Sequence, residues 1–496
     1  MFKKFILQPF IESTKEFERN NAFCINEKFY TYKEFAESIT KIRKALQNQN
    51  IRSKNIGLVV NDSLETYAAV FAIWLEGYAY VPLHPQQPFA RNIKIINQTD
   101  VDLIIDSSVK SGFTASAVIN SSLLAPEGVY LDPKPTPVDA LAYIIFTSGS
   151  TGKPKGVQIT RMNLGAFIKS FLEVGFHIDQ NDRCLQCFDL TFDISVQSYL
   201  IPLTRGACVY TMPYNRIRYS YICDLLENHK ITFGAMASSM IRYLRPYFNE
   251  INIPSMRYNI LAAEASPLDL IIEWSKCIPN AEIYDFYGPT EATIYCTYSK
   301  FAKEGSNKHF NGMLSIGKPM NGISAIIIDN EKRALSKNQK GELCVFGDQV
   351  TPGYWNNEEK NAESFFEIKY DKIVKRFYKT GDLCYFDEDG DIMLAGRLDN
   401  QVKIQGYRVE LGEIEYHARK FLAGQEAVAV TYPAQNGSNE IALFVEGELF
   451  DNYKLLEYLK TKIPPYMIPS KIIVKDKFPL NTSGKTDRIA LKNLTQ

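Results

Sequence analysis

The sequence lacks an excess of charge of either sign. Lys and Arg together number 56, and Asp and Glu also number 56, so no overall field attracts nucleic acid or an anionic membrane surface. Long hydrophobic runs are absent too: the longest, 67–75, ends at Glu76 and is too short to cross a bilayer. The first apolar stretch is broken by Gln8 and Pro9, which argues against a leader peptide. We therefore expect a cytoplasmic protein with no nucleic-acid partner and no membrane insertion.

The nine cysteines follow no spacing typical of a disulfide scaffold, and reduced thiols are the simplest interpretation. Cys184 and Cys187 form a CxxC pair, but no second pair or histidine cluster lies at zinc-site spacing, so we assign the pair a structural role. Internal repeats and low-complexity tracts are also absent. A chain of 496 residues without these features suggests about two to four packed globular units.

Short apolar, β-branched runs alternate with helix-period segments through most of the chain. Strands are predicted at 56–60, 102–105, 141–146, 258–262, 281–285 and 324–328. Helices are predicted at 63–76, 164–174, 221–229 and 268–276. This alternation predicts an α/β fold with helix-covered β-sheets.

The last hundred or so residues differ in pattern. Helices are predicted at 412–420 and 453–462, and strands at 426–431, 441–445 and 471–474. These elements are enough for a small α+β domain with its own core. We place the boundary near Asp399, giving an N-terminal domain of 1–398 and a C-terminal domain of 399–496.

A phosphate-binding loop is predicted directly after the strand that ends at Phe146. Its residues are Thr147, Ser148, Gly149, Ser150, Thr151, Gly152 and Lys153, followed by Pro154, Lys155 and Gly156. Glycines allow backbone N–H groups to turn toward an anion, while hydroxyls and lysines add donors and charge. The loop is not a Walker A motif, because Pro154 stands where that motif needs a glycine. Pro479 excludes a second match that ends at Gly484, Lys485 and Thr486 for the same reason.

With this loop in place, the sequence resembles the adenylate-forming superfamily of acyl-CoA synthetases, luciferases and nonribosomal-peptide adenylation domains. The resemblance runs from about Tyr30 to Arg488. Its motifs occur in the family's order: 75–83 (LEGYAYVPL), the phosphate loop, 192–195 (FDIS), 287–291 (YGPTE), 341–343 (GEL) with 353–354 (GY), 378–383 (YKTGDL), 396–399 (GRLD) and 479–485 (PLNTSGK).

The resemblance implies a large N-terminal domain of several subdomains and a small, mobile C-terminal lid. It also implies a ligase that uses ATP and Mg²⁺ in two half-reactions. A carboxylate and ATP first form an acyl-adenylate and pyrophosphate, and a thiol then displaces AMP. Positioning and neutralisation of charge dominate such a phosphoryl-centred reaction.

The family's functional residues map onto matching positions of this chain. Catalytic roles fall to Lys485 on the lid, to Thr290 at the α-phosphate and to Glu291 as the magnesium ligand, because Mg²⁺ prefers oxygen donors. The remaining ATP-binding positions, beyond the loop itself, are Ala263, Glu264, Asp285, Tyr287, Gly288, Asp382 and Arg397. Tyr287 would present a ring to adenine and Asp382 would accept hydrogen bonds from the ribose. Asp399 resembles the hinge about which the lid turns.

Asp193 indicates whether the carboxylic acid substrate is an amino acid. Amino-acid-activating members of the family carry a carboxylate at this place in the motif, where it pairs with the substrate ammonium group. Asp189 is a rival candidate, and a helix-capping role for Asp193 is the alternative interpretation. The same register assigns the substrate's side-chain pocket to Gln197, Asn259, Leu261, Phe286, Ile294 and Tyr295. Because Phe286 and Tyr295 are bulky, we expect a small, uncharged amino acid such as alanine, glycine, serine or proline.

The resemblance is closest to stand-alone amino acid adenylation enzymes, which load the phosphopantetheine of a separate carrier protein. D-Alanine–carrier protein ligases are among them, although Ala262 and Ala263 depart from the cysteine and glycine that those ligases commonly show. An acyl- or aryl-CoA synthetase, which differs chiefly at Asp193, is the first alternative function. A non-catalytic nucleotide-binding member is the second, and the presence of Glu291 and Lys485 argues against it.

Overall fold

The computed structural model describes residues 1–113, 116–149, 152–214, 216, 218–370, 373–399, 401–434, 437–447, 450–480 and 486–495. The chain forms two compact units. Unit 1 comprises Met1–Pro85, Ile96–Ile145 and Gly156–Leu398. Unit 2 comprises Gln86–Ile95, Phe146–Lys155 and Asp399–Gln496.

The helices follow one another through the chain with strands between them. They are α1 (Gln8–Glu16), α2 (Tyr32–Gln47), α3 (Leu64–Leu75), α4 (Phe89–Gln98), α5 (Arg161–Leu172), α6 (Asp193–Leu203), α7 (Arg218–Asn228), α8 (Ser238–Leu244), α9 (Leu268–Cys277), α10 (Glu358–Ser364), α11 (Leu411–Phe421), α12 (Asn452–Lys460) and α13 (Arg488–Asn493). A π-helical segment, Lys3–Leu7, precedes α1, and 3₁₀ turns lie at Ser121–Leu123, Arg245–Tyr247, Thr290–Ala292 and Pro465–Met467.

The strands are β1 (Asn21–Ile25), β2 (Lys28–Thr31), β3 (Asn55–Val59), β4 (Ala79–Leu83), β5 (Leu103–Asp106), β6 (Ala117–Asn120), β7 (Leu141–Thr147), β8 (Lys155–Thr160), β9 (Arg183–Gln186), β10 (Cys208–Thr211), β11 (Phe233–Ala237), β12 (Tyr258–Ala262), β13 (Glu282–Tyr287), β14 (Thr297–Lys300), β15 (His309–Phe310), β16 (Met313–Leu314), β17 (Lys318–Pro319), β18 (Ile323–Ile328), β19 (Gly341–Gly347), β20 (Phe365–Tyr370), β21 (Ile373–Phe386), β22 (Ile392–Arg397), β23 (Gln401–Ile404), β24 (Tyr407–Glu410), β25 (Ala427–Pro433), β26 (Asn439–Glu446) and β27 (Lys471–Lys475).

Unit 1 is built on large sheets. The first has the order β17-β14-β13-β12-β11-β9-β10-β1-β2, and its central strands from β13 to β1 run parallel to one another. The second has the order β6-β5-β3-β4-β7-β8. A third, antiparallel sheet has the order β18-β19-β21-β20, with β22 paired to β21. Because the central strands of the first sheet run in the same direction, their carboxyl ends lie at one edge.

Local sequence explains where several helices begin. Thr31 and Glu34 form a capping box at the start of α2, and Thr160 and Asn163 form another at the start of α5. Ser63 caps α3 by accepting a hydrogen bond from the backbone N–H of Thr66. The side chains of α3 are buried on nearly every face, which explains its uninterrupted apolar sequence.

Unit 2 has cores of its own. The hairpin β23-β24 and a sheet of order β25-β26-β27 accompany α11, α12 and α13. One apolar cluster joins Ile414 of α11 to Leu443 of β26 and Leu459 of α12. A second cluster includes Phe444 and Leu491. This arrangement agrees with the α+β pattern of the final residues.

The predicted fold class, α/β with a large N-terminal and a small C-terminal part, is confirmed. Cys184 and Cys187 of the CxxC pair are buried in unit 1, where burial raises the pKa of both thiols. Cys187 donates a hydrogen bond to the carbonyl of Ala235 at 3.4 Å.

Among the described residues, no helix combines the length and apolar composition that crossing a bilayer requires.

Candidate active site

Chemically active side chains gather where the parallel strands of the first sheet end. Asp193 begins α6 after β9, Glu264 follows β12, and Thr290 with Glu291 follows β13. Open α/β sheets typically bind their ligands at this kind of edge, outside the carboxyl ends of the strands. The edge therefore brings together residues that are about a hundred positions apart in sequence.

Asp193 is buried, with 5% of its surface exposed. It is the first residue of α6, and the residue at the N-cap is Phe192. Asp193 is therefore not the cap of this helix. Burial raises the pKa of the Asp193 carboxyl to about 6, while a hydrogen bond from the Thr290 side chain acts to lower it and the nearby Glu291 charge acts to raise it. Oδ2 of Asp193 has no hydrogen-bond partner among the described residues. A buried carboxylate in this state calls for a cationic partner.

Asp189, the rival candidate, is already paired. Its carboxylate lies 2.7 Å from Nε2 of His84 and accepts hydrogen bonds from the backbone and hydroxyl of Thr191. These contacts hold the pKa of the Asp189 carboxyl below its usual value although burial alone would raise it. A carboxylate that is saturated by protein donors is poorly suited to a substrate ammonium group.

Glu291 is also buried, with 1% of its surface exposed. Its Oε1 accepts a hydrogen bond from the hydroxyl of Tyr354 at 2.7 Å, and the 3₁₀ turn Thr290–Ala292 fixes its backbone. A carboxylate offers about four lone-pair sites, so the Tyr354 bond is compatible with metal binding. The described residues contain no group of three or more His, Cys, Asp or Glu side chains arranged for a metal ion. Mg²⁺ typically takes one or two carboxylates together with phosphate oxygens and water.

The backbone beside the site adopts unusual conformations. Thr293 and Ile294 both have positive φ, at 57° and 71°, immediately after the Glu291 turn. Gly288 lies so close to this segment that an added Cβ would sit 2.6 Å from Cα of Tyr295. Ala263 also has a positive φ, of 70°. Left-handed conformations in such residues are costly and concentrate at functional sites.

Three of the residues predicted to bind ATP, Tyr287, Asp382 and Arg397, contact one another in unit 1. The Tyr287 hydroxyl donates to Oδ2 of Asp382 at 2.5 Å, and Nη1 of Arg397 donates to Oδ1 of the same carboxylate at 3.0 Å. Asp382 and Arg397 face each other in the β21-β22 pair. Oδ1 of Asp285 accepts a hydrogen bond from Ser266. The Glu264 carboxylate accepts a hydrogen bond from the backbone of Ser239.

The residues predicted to line the side-chain pocket are all buried: Gln197, Asn259, Leu261, Phe286, Ile294 and Tyr295. Gln197 lies one turn beyond Asp193 on α6, which places the two on one helix face. The Phe286 and Tyr295 rings pack with their centroids 5.0 Å apart. Asn259 instead bonds to the protein itself, since it donates to the carbonyl of Gly234 and accepts from the indole N–H of Trp274.

The phosphate loop belongs to unit 2, where it contacts α11 and the β23-β24 hairpin. The Ser148 hydroxyl donates to the carbonyl of Arg408, and Lys155 lies 3.0 Å from the carboxylate of Glu410. The backbone N–H of Gly149 donates to the carboxylate of Glu413 at 3.3 Å. The loop thus already presents a backbone donor to an anionic oxygen.

Three predicted residues, Ser150, Thr151 and Lys485, lie outside the described residues, and their roles stay predictions. Asp399, the predicted hinge, accepts a hydrogen bond from the backbone of Gln401 at 3.1 Å.

Sequence reasoning missed Tyr354, Ser266 and Tyr143. Tyr354 donates a hydrogen bond to Glu291, and Ser266 donates one to Asp285. The Gly-Tyr motif at 353–354 is the only sequence signal that pointed to either residue. Tyr143 lies within a strand, and its buried hydroxyl has no hydrogen-bond partner among the described residues. Its pKa is raised by burial and by the nearby Asp193 charge.

A model of the family described as "AMP-binding enzyme" matches residues 10–355, more than half of the chain. The chain belongs to the AMP-binding enzyme family. It is 32% identical over 497 residues to a linear gramicidin synthase of Brevibacillus parabrevis, a match that covers 98% of this chain and 10% of that protein. The chain spans only between 6% and 14% of the length of three such peptide synthases.

Solved structures show the same fold. The Vibrio cholerae adenylation domain AlmE, in complex with glycyl-adenosine-5'-phosphate, superposes with a TM-score of 0.85 at 22% identity, covering 98% of this chain and 97% of that one. The o-succinylbenzoate CoA synthetase MenE of Bacillus subtilis superposes with a TM-score of 0.82 at 22% identity, covering 98% of both chains. The predicted membership of the adenylate-forming superfamily is confirmed.

Proposed function

We propose that this AMP-binding enzyme activates an amino acid as its aminoacyl-adenylate and then passes it to the phosphopantetheine thiol of a carrier protein. The observation that carries the proposal is the buried Asp193 carboxylate, one oxygen of which has no hydrogen-bond partner among the described residues. An α-ammonium group would supply the opposite charge that this carboxylate requires. A fatty or aromatic acid has no cation to offer there.

The residues to which the resemblance assigns catalytic and ATP-binding roles suit attack of a carboxylate on ATP. In this proposal Glu291 would hold Mg²⁺, which would supply positive charge beside the departing pyrophosphate. Thr290, whose side chain acts to lower the pKa of Asp193, contacts the α-phosphate. Asp382 accepts hydrogen bonds from the ribose. Lys485 adds a cation that offsets repulsion between the two approaching anions.

The relatives support amino acid activation, but they do not distinguish a carrier-protein thiol from the thiol of CoA as the acceptor. The AlmE structure contains a glycyl adenylate, whereas the fold of MenE, a CoA synthetase, is nearly as similar. A carrier as the acceptor is supported by the similar solved structure of an NRPS protein that contains adenylation and PCP domains. We also propose a cytoplasmic location, where ATP is available and thiols stay reduced.

Amino-acid-dependent exchange of labelled pyrophosphate into ATP tests the first half-reaction. The assay should cover all proteinogenic amino acids, D-alanine, and a set of fatty and aromatic acids. We expect at least one amino acid to drive exchange and the plain acids to fail. Exchange driven only by fatty or aromatic acids would reverse the assignment in favour of a CoA synthetase.

Two variants separate the roles of the charged residues. Asp193→Asn keeps the shape of the side chain but removes its charge, so exchange should fall by roughly a hundredfold or more. Lys485→Ala should lose a comparable amount of adenylate formation. Unchanged adenylate formation in the Lys485 variant would remove that residue from the proposal.

A separate assay identifies the acceptor thiol. It compares thioester formation with a phosphopantetheinylated carrier protein and thioester formation with free CoA.

A further inference from the structure

Two residues of the predicted side-chain pocket, Gln197 and Tyr295, carry buried polar atoms that have no hydrogen-bond partner among the described residues. Both side-chain atoms of Gln197, Oε1 and Nε2, and the hydroxyl of Tyr295 are buried and have no hydrogen-bond partner among the described residues. Gln197 is 0% exposed and Tyr295 is 1% exposed. Leaving buried donors and acceptors unpaired costs free energy of folding, so their concentration at one place calls for a ligand that pairs with them.

These atoms lie close to the predicted ammonium site. Gln197 is four residues beyond Asp193 on α6, on the same face and about 6 Å further along the helix. Tyr295 packs against Phe286 and Phe167, with centroid distances of 5.0 and 6.0 Å. Burial and the nearby Asp193 carboxylate together raise the pKa of the Tyr295 hydroxyl, which keeps it protonated as a donor.

The rest of the pocket wall offers little further polarity. Asn259, the other polar residue of the predicted lining, directs its amide to Gly234 and Trp274. Leu261, Phe286 and Ile294 are apolar. The available donors and acceptors thus belong to a neutral carboxamide and a neutral hydroxyl, and neither could neutralise a charged group buried against it.

We propose that the substrate amino acid carries an uncharged side chain that both donates and accepts hydrogen bonds, a hydroxyl or a carboxamide, and that Gln197 and Tyr295 bind it. This inference rests on the proposed amino acid activation. It changes the criterion of the sequence-based expectation from small size to polarity: serine stays within the class, whereas alanine, glycine and proline leave Gln197 and Tyr295 unpaired. A site built to hydrogen-bond a substrate rejects the analogue that lacks the polar group far more strongly than it distinguishes one methylene.

Pyrophosphate exchange with matched pairs of amino acids tests the proposal. The pairs are serine with alanine, threonine with valine, asparagine with leucine, and glutamine with methionine. We expect the preferred substrate to be a polar member that exceeds its apolar partner by roughly a hundredfold in kcat/KM. Apolar members that match or exceed the polar ones overturn this inference but leave amino acid activation intact. Failure of every amino acid overturns the proposed function instead.

Gln197→Leu and Tyr295→Phe should lower that preference by roughly tenfold or more, chiefly through kcat/KM for the polar substrate. The variant Tyr32→Phe is a matched control, because the equally buried Tyr32 hydroxyl already donates to the carbonyl of Ala207 at 2.8 Å. Tyr32→Phe should lower the melting temperature and leave substrate preference unchanged.

Tyr295→Phe should do the reverse, changing preference without lowering the melting temperature of the free protein. A structural water that satisfies Gln197 and Tyr295 would give the opposite result: Tyr295→Phe would then destabilise the protein as Tyr32→Phe does, and preference would stay unchanged. That result overturns the assignment of these two residues.

Discussion

At the scale of single residues, the Asp193 carboxyl combines burial with the role that we propose for it, binding the substrate ammonium group. Burial raises its pKa from 3.8 to about 6, so removal from water disfavours the charged form that the substrate ammonium requires. Because the folded-state pKa lies above the unfolded one, the group's contribution to stability is present below about pH 4 and is lost as the pH rises through about 6. In the free enzyme, the charged Asp193 carboxylate therefore lowers the stability of the fold above about pH 6, the range in which it could pair with an ammonium group.

The pH dependence of amino acid binding follows from this pKa. As the pH falls below about 6, Asp193 becomes protonated and its ion pair is lost, so KM for the amino acid should rise about tenfold per pH unit. Initial-rate measurements of pyrophosphate exchange between about pH 5 and 8 would check this. A KM that begins to rise only near about pH 4, the ordinary range of an Asp carboxyl, would contradict the assignment.

Ala263 shows how one side chain can be at odds with its backbone. Its φ of 70° lies in the left-handed region, which costs a residue with a Cβ about 1–2 kcal/mol. Ala263→Gly should therefore raise the free energy of unfolding by up to about 1 kcal/mol, after allowance for the greater chain entropy of glycine. Denaturant unfolding measures the change. Ala262→Gly, at the buried neighbour without positive φ, should destabilise the protein instead.

At the scale of elements, a buried ion cluster joins α2 to α3. Glu76 follows α3 and accepts hydrogen bonds from Arg43 at 2.9 Å and Gln47 at 2.8 Å, while Lys134 also pairs with it. Burial alone would raise the pKa of the Glu76 carboxyl, but these donors lower it overall. Stability from this group is thus present above the ordinary glutamate pKa and is lost as the pH falls through the lowered one.

Removal of the Glu76 charge should be costly. Glu76→Gln leaves Arg43, which is 2% exposed, as an uncompensated buried cation, and should destabilise the protein by about 3–5 kcal/mol. Thermal or denaturant unfolding measures this change. Glu65→Gln in α3 is the matched control, because the Glu65 pair with Lys41 is longer, at 3.4 Å, and more exposed. That variant should lose no more than about 1 kcal/mol.

The elements also show which parts of the fold could be predicted. The strand predicted at 258–262 coincides with β12, and the helix predicted at 268–276 is α9 with one further residue. Both have apolar patterns that match their own period. The long strand β21, Ile373–Phe386, was not predicted, because its charged and glycine residues obscure the alternation. It is stabilised by pairing with β19, β20 and β22, partners that local sequence does not reveal.

At the scale of the whole molecule, the chain divides at Asp399, where unit 2 resumes after Leu398. We propose, as the family resemblance implies, that Asp399 is a hinge between the two half-reactions. Asp399→Pro fixes φ and removes a backbone donor, so it should spare pyrophosphate exchange and slow thioester formation by roughly tenfold or more. Single-turnover transfer to the acceptor thiol measures the second step.

The variant Asp399→Asn is the control, because it keeps backbone freedom at the same position. It should leave both half-reactions within about threefold of the unmodified enzyme. Equal loss of exchange and transfer in Asp399→Pro would indicate general damage to the fold and would remove the hinge from the proposal.

The sequence by itself determined the family and the kinds of chemistry available. Ordered motifs of glycine, hydroxyl and carboxylate residues are local patterns, and they predicted a phosphate loop and binding roles for Glu291, Asp382 and Asp193 without knowledge of any contact. Backbone conformation and hydrogen-bonding capacity reside in the residue types themselves, which is why such motifs are recognisable in the sequence.

Only the tertiary structure decided which of these groups are already paired. Asp189 and Asp193 stand four residues apart with the same side chain, yet one is bound by His84 while Oδ2 of the other has no hydrogen-bond partner among the described residues. In the same way, the amide of Asn259 bonds to the protein, whereas the amide of Gln197 and the hydroxyl of Tyr295 do not within the described part of the chain. Pairing depends on contacts between segments remote in sequence, and the free energy of a buried polar group depends on that pairing.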